Sequence, residues 1–167
     1  PPMEHWNIWL IMAGRGFGKT RAAAEAVREL IMEHGYQRIG LIGRTSADVR
    51  DVMIDGESGI LNIFPPWFQP VYQPSRRRIV FPNGAIAITY SADQPDQLRG
   101  PQHDALWVDE PAAWRYEDTW DQAQFGLRLG PYPITIATTT PRPTKLIRRL
   151  FADSAPVPTP GKSVVLT

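Results

Sequence analysis

The chain has 167 residues, of which 43% are hydrophobic and 21% charged, a size and balance that fit one folded domain and exclude a disordered chain. A formal net charge of +1 argues neither for nor against nucleic acid, so any such argument must be local. There is no cysteine, which excludes disulfides and thiolate metal sites, and no apolar run of bilayer length, so no membrane partner is expected.

Asn7 to Met12 is an apolar run that predicts a buried strand, and a glycine-rich loop follows it at once. From Gly18 to about His34 the apolar residues Ala23, Ala26, Val27, Leu30 and Ile31 recur at i, i+3, i+4, i+7 and i+8. This is one face of a helix, and Gly35 stands where a C-terminal glycine stop belongs. Arg38 to Gly43 predicts a second strand. Ser46 is placed to N-cap a helix through Val49, Val52 and Met53.

After Pro65-Pro66, the runs Arg78–Phe81 and Ala85–Tyr90 flank Pro82-Asn83-Gly84 and predict a hairpin. Ala105–Val108 predicts another buried strand, ending in Asp109-Glu110. Glu117 to about Leu127 predicts a helix, and Pro133–Thr138 a strand stopped by Pro141. Thr144–Phe151 predicts a short basic helix with Leu146, Ile147 and Leu150 inward. Ser154–Gly161 is proline-rich and reads as a linker, and Val164–Leu166 reads as the start of a last strand. Strands alternating with helices predict an α/β fold with a mainly parallel sheet and an antiparallel hairpin addition.

Ala13-Gly14-Arg15-Gly16-Phe17-Gly18-Lys19-Thr20 fits the phosphate-loop pattern G-x-x-x-x-G-K-[ST], with Ala13 as a small replacement for the first glycine. Glycines let the backbone wrap closely, so successive N–H groups point at phosphate oxygens and the following helix adds its positive end. In that frame Gly14, Arg15, Gly16, Phe17 and Gly18 cradle a nucleotide, Lys19 reaches the β- and γ-phosphates, and the Thr20 hydroxyl binds Mg²⁺.

Ala105-Leu106-Trp107-Val108-Asp109-Glu110 places two acids at the carboxyl end of a buried strand, where α/β sheets hold ligands. Asp109 is the second expected Mg²⁺ ligand, and Glu110, one residue on, the general base that polarises the attacking water. The adjacent glutamate favours ATP hydrolysis over a GTPase switch, and no Asn-Lys-x-Asp stretch is present.

Several residues carry two readings from sequence. Arg15 inside the loop is either a γ-phosphate contact or a solvated loop residue. Arg99 is either a surface charge or an arginine that stabilises phosphoryl transfer, in cis or from a neighbouring subunit. Thr138-Thr139-Thr140 either relays nucleotide state or reflects the strand preference of threonine. Arg76-Arg77-Arg78, and the group Arg142, Lys145, Arg148 and Arg149, are candidate DNA-phosphate contacts or solvated basic faces. His5, His34 and His103 show no metal-ligand spacing, and Trp6 is placed near adenine or in the core.

Taken in order, the phosphate loop, Leu98-Arg99-Gly100, Leu106-Trp107-Val108-Asp109-Glu110 and Thr138-Thr139-Thr140-Pro141 resemble the large terminase subunit of tailed double-stranded DNA phages and related gene-transfer particles. The resemblance implies a three-layer αβα P-loop NTPase of the ASCE type and a DNA-packaging motor that hydrolyses Mg-ATP. By it, Arg15 and Lys19 are the loop cations, Thr20 and Asp109 the Mg²⁺ ligands and Glu110 the catalytic glutamate. Thr138, Thr139 and Thr140 become the coupling motif, and Arg99 a finger acting on the neighbouring subunit's ATP.

It also implies double-stranded DNA, a homo-oligomeric ring (expected to be a pentamer), the portal protein and the small terminase subunit as partners. The place of action would be the host cytoplasm, transiently at the portal vertex. Residues 1–167 then form a single motor domain, with a ribonuclease-H-like nuclease domain expected beyond residue 167. Two rivals share parts of the pattern: a helicase-like or other nucleic-acid-dependent ATPase, and a non-enzymatic nucleotide-binding module.

Overall fold

An eight-stranded sheet organises residues 7–152 and 164–166, the residues described by a computed structural model of the chain. The strands are β1 (Ile8–Met12), β2 (Arg38–Gly43), β3 (Val71–Gln73), β4 (Arg78–Val80), β5 (Ile86–Ser91), β6 (Ala105–Asp109), β7 (Ile134–Thr139) and β8 (Val164–Leu166). Their order across the sheet is β3-β4-β5-β2-β6-β7-β1-β8. From β5 to β8 every pairing is parallel, whereas β3–β4 and β4–β5 are antiparallel.

Strand alternation divides the core. Trp9, Leu41 and Trp107 face one side of the sheet, and their neighbours Leu10, Ile42 and Leu106 face the other. Helix α1 (Lys19–Glu33) covers the first face with Ala23, Ala24, Ala26, Val27, Leu30 and Ile31. Helices α3 (Asp118–Gly126) and α4 (Lys145–Ala152) cover the second, through Trp120 and Ala123 and through Leu146, Ile147 and Leu150. Burying a side chain such as Leu41 on the first face or Leu10 on the second completely contributes about 1.5–3 kcal/mol, so both faces are strongly held. The result is the three-layer α/β sandwich expected from sequence.

The predicted strands, α1, α3 and α4 all form near their expected bounds. At the end of α1, Gly35 takes φ +71 as its predicted stop role requires, and the Tyr36 N–H returns to the Leu30 carbonyl at 3.1 Å. The 82–84 turn also forms, with Gly84 at φ +87 and β4 and β5 paired antiparallel. The hairpin is, however, part of a three-stranded meander. The short strand β3 was not anticipated, because three residues are too few for an alternating pattern.

The second helix departs from expectation. Thr45, not Ser46, is the N-cap, its hydroxyl accepting from the Asp48 N–H at 3.1 Å. Helix α2 (Ser46–Asp48) then passes into a π-helical stretch, Val49–Ile54, in which the Asp55 N–H reaches Arg50 at 2.8 Å. That wider winding puts Val49, Met53 and Ile54 in the core and leaves Val52 at 37% exposure, off the predicted apolar face.

His103 is buried among these layers, its Nε2 2.9 Å from the Tyr90 hydroxyl, and burial lowers its pKa to about 4. It is a neutral core histidine. Among the described residues no helix is long and apolar enough to cross a membrane. His5, Trp6 and the proline-rich stretch 154–161 lie outside the described residues.

Candidate active site

The sheet order places β7 between β1, which feeds the phosphate loop, and β6, which carries the two acids. Met12 pairs with Thr139, and Asp109 pairs with Thr138, so the carboxyl ends of three strands meet at one level. The loop is tied there as well, by a hydrogen bond from the Ala13 N–H to the Thr139 carbonyl at 3.2 Å. Loop, acids and threonines are therefore brought together at one end of the sheet.

Gly16 and Gly18 sit at φ +76 and φ +78, backbone positions that side chains rarely tolerate. Gly18 is the N-cap of α1, no side chain caps that helix, and its first turn holds no acid. The first amides of a 15-residue helix therefore face the loop uncontested by protein carboxylates. Lys19 begins this helix, and Thr20 follows it. Phe17 is 78% exposed, so its ring packs against neither face of the sheet.

Asp109 is 7% exposed, and its Oδ1 accepts from the Thr138 hydroxyl at 2.7 Å. Burial pushes its pKa up to about 6, reinforced by the like charges of Glu110 and Asp48. The Thr138 hydrogen bond and the Lys19 charge oppose that rise. Behind it, the Trp114 indole N–H donates to the Asp109 carbonyl at 3.0 Å.

In a regular strand Glu110 would face away from Asp109. Instead it takes a left-handed conformation, φ 51 and ψ 49, pinned by a 2.6 Å hydrogen bond from its N–H to the Thr138 carbonyl. This turn brings Oε1 to 3.7 Å from the Lys19 Nζ. Oε2 accepts from the Thr140 N–H and hydroxyl, both at 3.1 Å, and lies 3.4 Å from the Thr139 hydroxyl. A non-glycine residue held at positive φ costs on the order of 1–3 kcal/mol, so this network maintains a strained placement of the carboxylate.

The donor set suits a hard divalent cation. The Thr20 hydroxyl and the Asp109 carboxylate are oxygen ligands of the kind Mg²⁺ takes, and Asp109 is buried beside the like charges of Glu110 and Asp48, which Lys19 offsets only in part. Among the described residues the only cluster of three or more acidic or histidine ligands is Glu29, Glu33 and His34, at the far end of α1.

A cleft of about 400 Å³ opens beside the acids, lined by Arg15, Arg44, Asp109, Glu110, Thr140 and Arg142 among others. Arg15 thus faces the site. Arg44 had no sequence motif to mark it, and Arg142 read only as part of a basic group. The available signal was position: Arg44 directly follows β2, and Arg142 follows the threonines by two residues. Arg44 is held by Asp48, Nε to Oδ2 at 3.0 Å.

Arg99 does not line this cleft. Its side chain is 65% exposed, with Asp96 3.4 Å away. Arg76 and Arg77 are exposed, and Arg78 is partly buried with its Nε bonded to Gln73 at 2.7 Å. All three sit at the β3–β4 turn, on the opposite side of β5 and β2 from the acids.

Residues 10–164 match the family described as terminase large subunit, T4likevirus-type, N-terminal. The chain belongs to this family. The terminase domain also resembles solved structures. Against the large terminase ATPase domain of Thermus phage P74-26 the TM-score is 0.71 at 20% identity, covering 97% of this chain and 73% of that one. Against the large terminase of a thermophilic bacteriophage in complex with ADP the TM-score is 0.62 at 16% identity, covering 81% of this chain and 33% of that one. Against the HK97 bacteriophage large terminase it is 0.64 at 16% identity, covering 80% of this chain and 29% of that one. The domain therefore spans about a third of those two longer terminases. No curated protein sequence matches the chain.

Proposed function

We propose that this terminase domain is a packaging-motor ATPase. It hydrolyses Mg-ATP to ADP and phosphate and uses that turnover to drive double-stranded DNA into a procapsid. The observation that carries the reading is the meeting of Lys19, Asp109, Glu110 and the Thr138–Thr140 strand end around one loop.

The amides of the loop and of the first turn of α1 hold the phosphates, and Lys19 spans the β- and γ-phosphates. Thr20 and Asp109 would hold Mg²⁺, which neutralises charge on the transferring phosphoryl group. Glu110 orients the attacking water and accepts its proton. Phosphate oxygens compete with Glu110 for Lys19, so substrate binding loosens the 3.7 Å pair and releases Oε1 for the water. Arg15 stabilises the γ-phosphate from the cleft wall. Thr139 and Thr140 register any movement of Glu110 and pass it along the chain to α4, which begins five residues later.

Arg99 acts in trans. Its exposure and its place outside the cleft suit a finger that reaches the ATP of a neighbouring subunit, so the working unit is a ring, a pentamer by family analogy. Arg76, Arg77 and Arg78 form a basic turn that suits DNA phosphates. The portal protein and the small terminase subunit are the further partners, the host cytoplasm and the portal vertex the place of action. Residues 1–167 act as one domain.

Phosphate release from Mg-ATP by wild-type and Glu110→Gln chains, with and without double-stranded DNA, tests this reading. Wild-type turnover that falls by at least about a hundredfold in the variant supports it. Equal turnover in the two would remove Glu110 from the chemistry, and no turnover in wild type, even at high protein concentration with DNA, would favour a non-enzymatic nucleotide-binding module.

A further inference from the structure

The three threonines divide their work. Thr139 and Thr140 address Glu110, whereas Thr138 is fully buried and addresses Asp109. Behind Thr138 stands Trp107, also fully buried, whose indole Nε1 is 3.0 Å from the Thr138 Oγ1. The β6–β7 register creates this contact. Asp109 lies opposite Thr138, and Trp107, two residues back, shares the face of Asp109 and reaches Thr138 on the diagonal.

We propose that Trp107 is a positioning residue for the metal-binding carboxylate, setting the direction of the Thr138 hydroxyl and through it the orientation of Asp109. The inference rests on the ATPase reading above. Its logic is one of donors and acceptors. An indole N–H only donates, so the Thr138 oxygen must accept from it. The single hydroxyl hydrogen of Thr138 is then directed elsewhere. Its nearest acceptor is Asp109 Oδ1 at 2.7 Å, against 3.4 Å for the Val108 carbonyl. The carboxylate is held by Oδ1, and Oδ2, with no side-chain hydrogen bond among the described residues, would be the oxygen offered to a cation. Core packing at position 107 needs only an apolar side chain. The N–H is the added element, and a polar group buried this deeply must be bonded.

The test uses the 1–167 chain and Mn²⁺ as a paramagnetic probe, with free Mn²⁺ counted by electron paramagnetic resonance in the presence of ADP. Trp107→Phe removes the N–H and keeps the aromatic ring. It should weaken Mn²⁺ binding to the ADP complex about tenfold while leaving the affinity for metal-free ADP unchanged. Thr138→Val should do the same, Thr138→Ser should restore binding, and the Trp107→Phe/Thr138→Val double variant should be no weaker than Thr138→Val alone. A purely structural tryptophan would lower thermal stability without this selective loss of metal.

Wild-type Mn²⁺ affinity in Trp107→Phe overturns the proposal. If that variant does not fold, wild-type affinity in Thr138→Val overturns it instead. A wild-type chain that binds no Mn-ADP overturns the ATPase reading and this inference with it. Binding in wild type that is unchanged in the variants overturns this inference alone.

Discussion

Glu110 Oε2 accepts two hydrogen bonds from Thr140, one from the backbone N–H and one from the hydroxyl, each 3.1 Å long. Replacing Thr140 with valine keeps the backbone bond and removes the hydroxyl bond. Thr140→Val should therefore lower kcat about tenfold, equivalent to about 1.4 kcal/mol, with KM for ATP little changed. Steady-state kinetics decide it, and a raised KM at constant kcat would place Thr140 in ground-state binding instead.

Lys19 faces the carboxylate rather than solvent, with 11% of its side chain exposed. Lys19→Ala removes both the phosphate contact and the counter-charge to Glu110. Turnover should vanish, and ATP affinity should fall by at least an order of magnitude in a fluorescent-nucleotide titration. Unchanged hydrolysis would remove the loop from the site.

Asp109 gives a pH signature of defined sign. Its folded-state pKa is raised to about 6 from 3.8, so with no metal added its negative charge destabilises the fold above pH 6. That cost shrinks as pH falls through 6 and is gone below about 4. Asp109→Asn keeps an acceptor for Thr138 and removes the charge. The metal-free variant should be more stable than wild type by about 1–3 kcal/mol at pH 7, with the difference closing by pH 4. Denaturant unfolding at the two pH values measures this. A variant less stable than wild type at pH 7 would show that the buried charge is already well compensated.

Arg99 is exposed and outside the cleft that Arg15 enters. Arg99→Ala should leave ATP binding by the domain intact. Mixed with wild-type subunits, it should depress activity more steeply than dilution, because each altered subunit fails its neighbour. A linear fall with the mutant fraction would reject action in trans.

The parts of the site set by short stretches of chain were legible in the sequence. The loop needs glycines at fixed spacing, α1 announces itself by its apolar periodicity, and β6 and β7 read as apolar runs ending in acids and threonines. Each depends on local backbone preference, so Lys19, Thr20, Asp109, Glu110 and Thr138–Thr140 could be named before their neighbours were known. The π-helical turn after Asp48 was not legible. Its winding depends on packing Val49, Met53 and Ile54 against the sheet, and that packing overrides the regular helical period.

What only the tertiary structure decided is which strands lie side by side. Strand order is a property of non-local hydrogen bonding, and no stretch of sequence states that β7 enters between β1 and β6. That insertion brings Thr138 to Asp109 and Thr140 to Glu110, and it fixes the diagonal from Trp107 to Thr138. The same holds for Arg44 and Arg142, which reach the cleft because β2 and β7 end on its walls. The sequence by itself determined the chemical groups of the site, because each is carried by a local element. Their partners were settled by sheet register, because one residue of slip would turn every side chain of a strand to the other face.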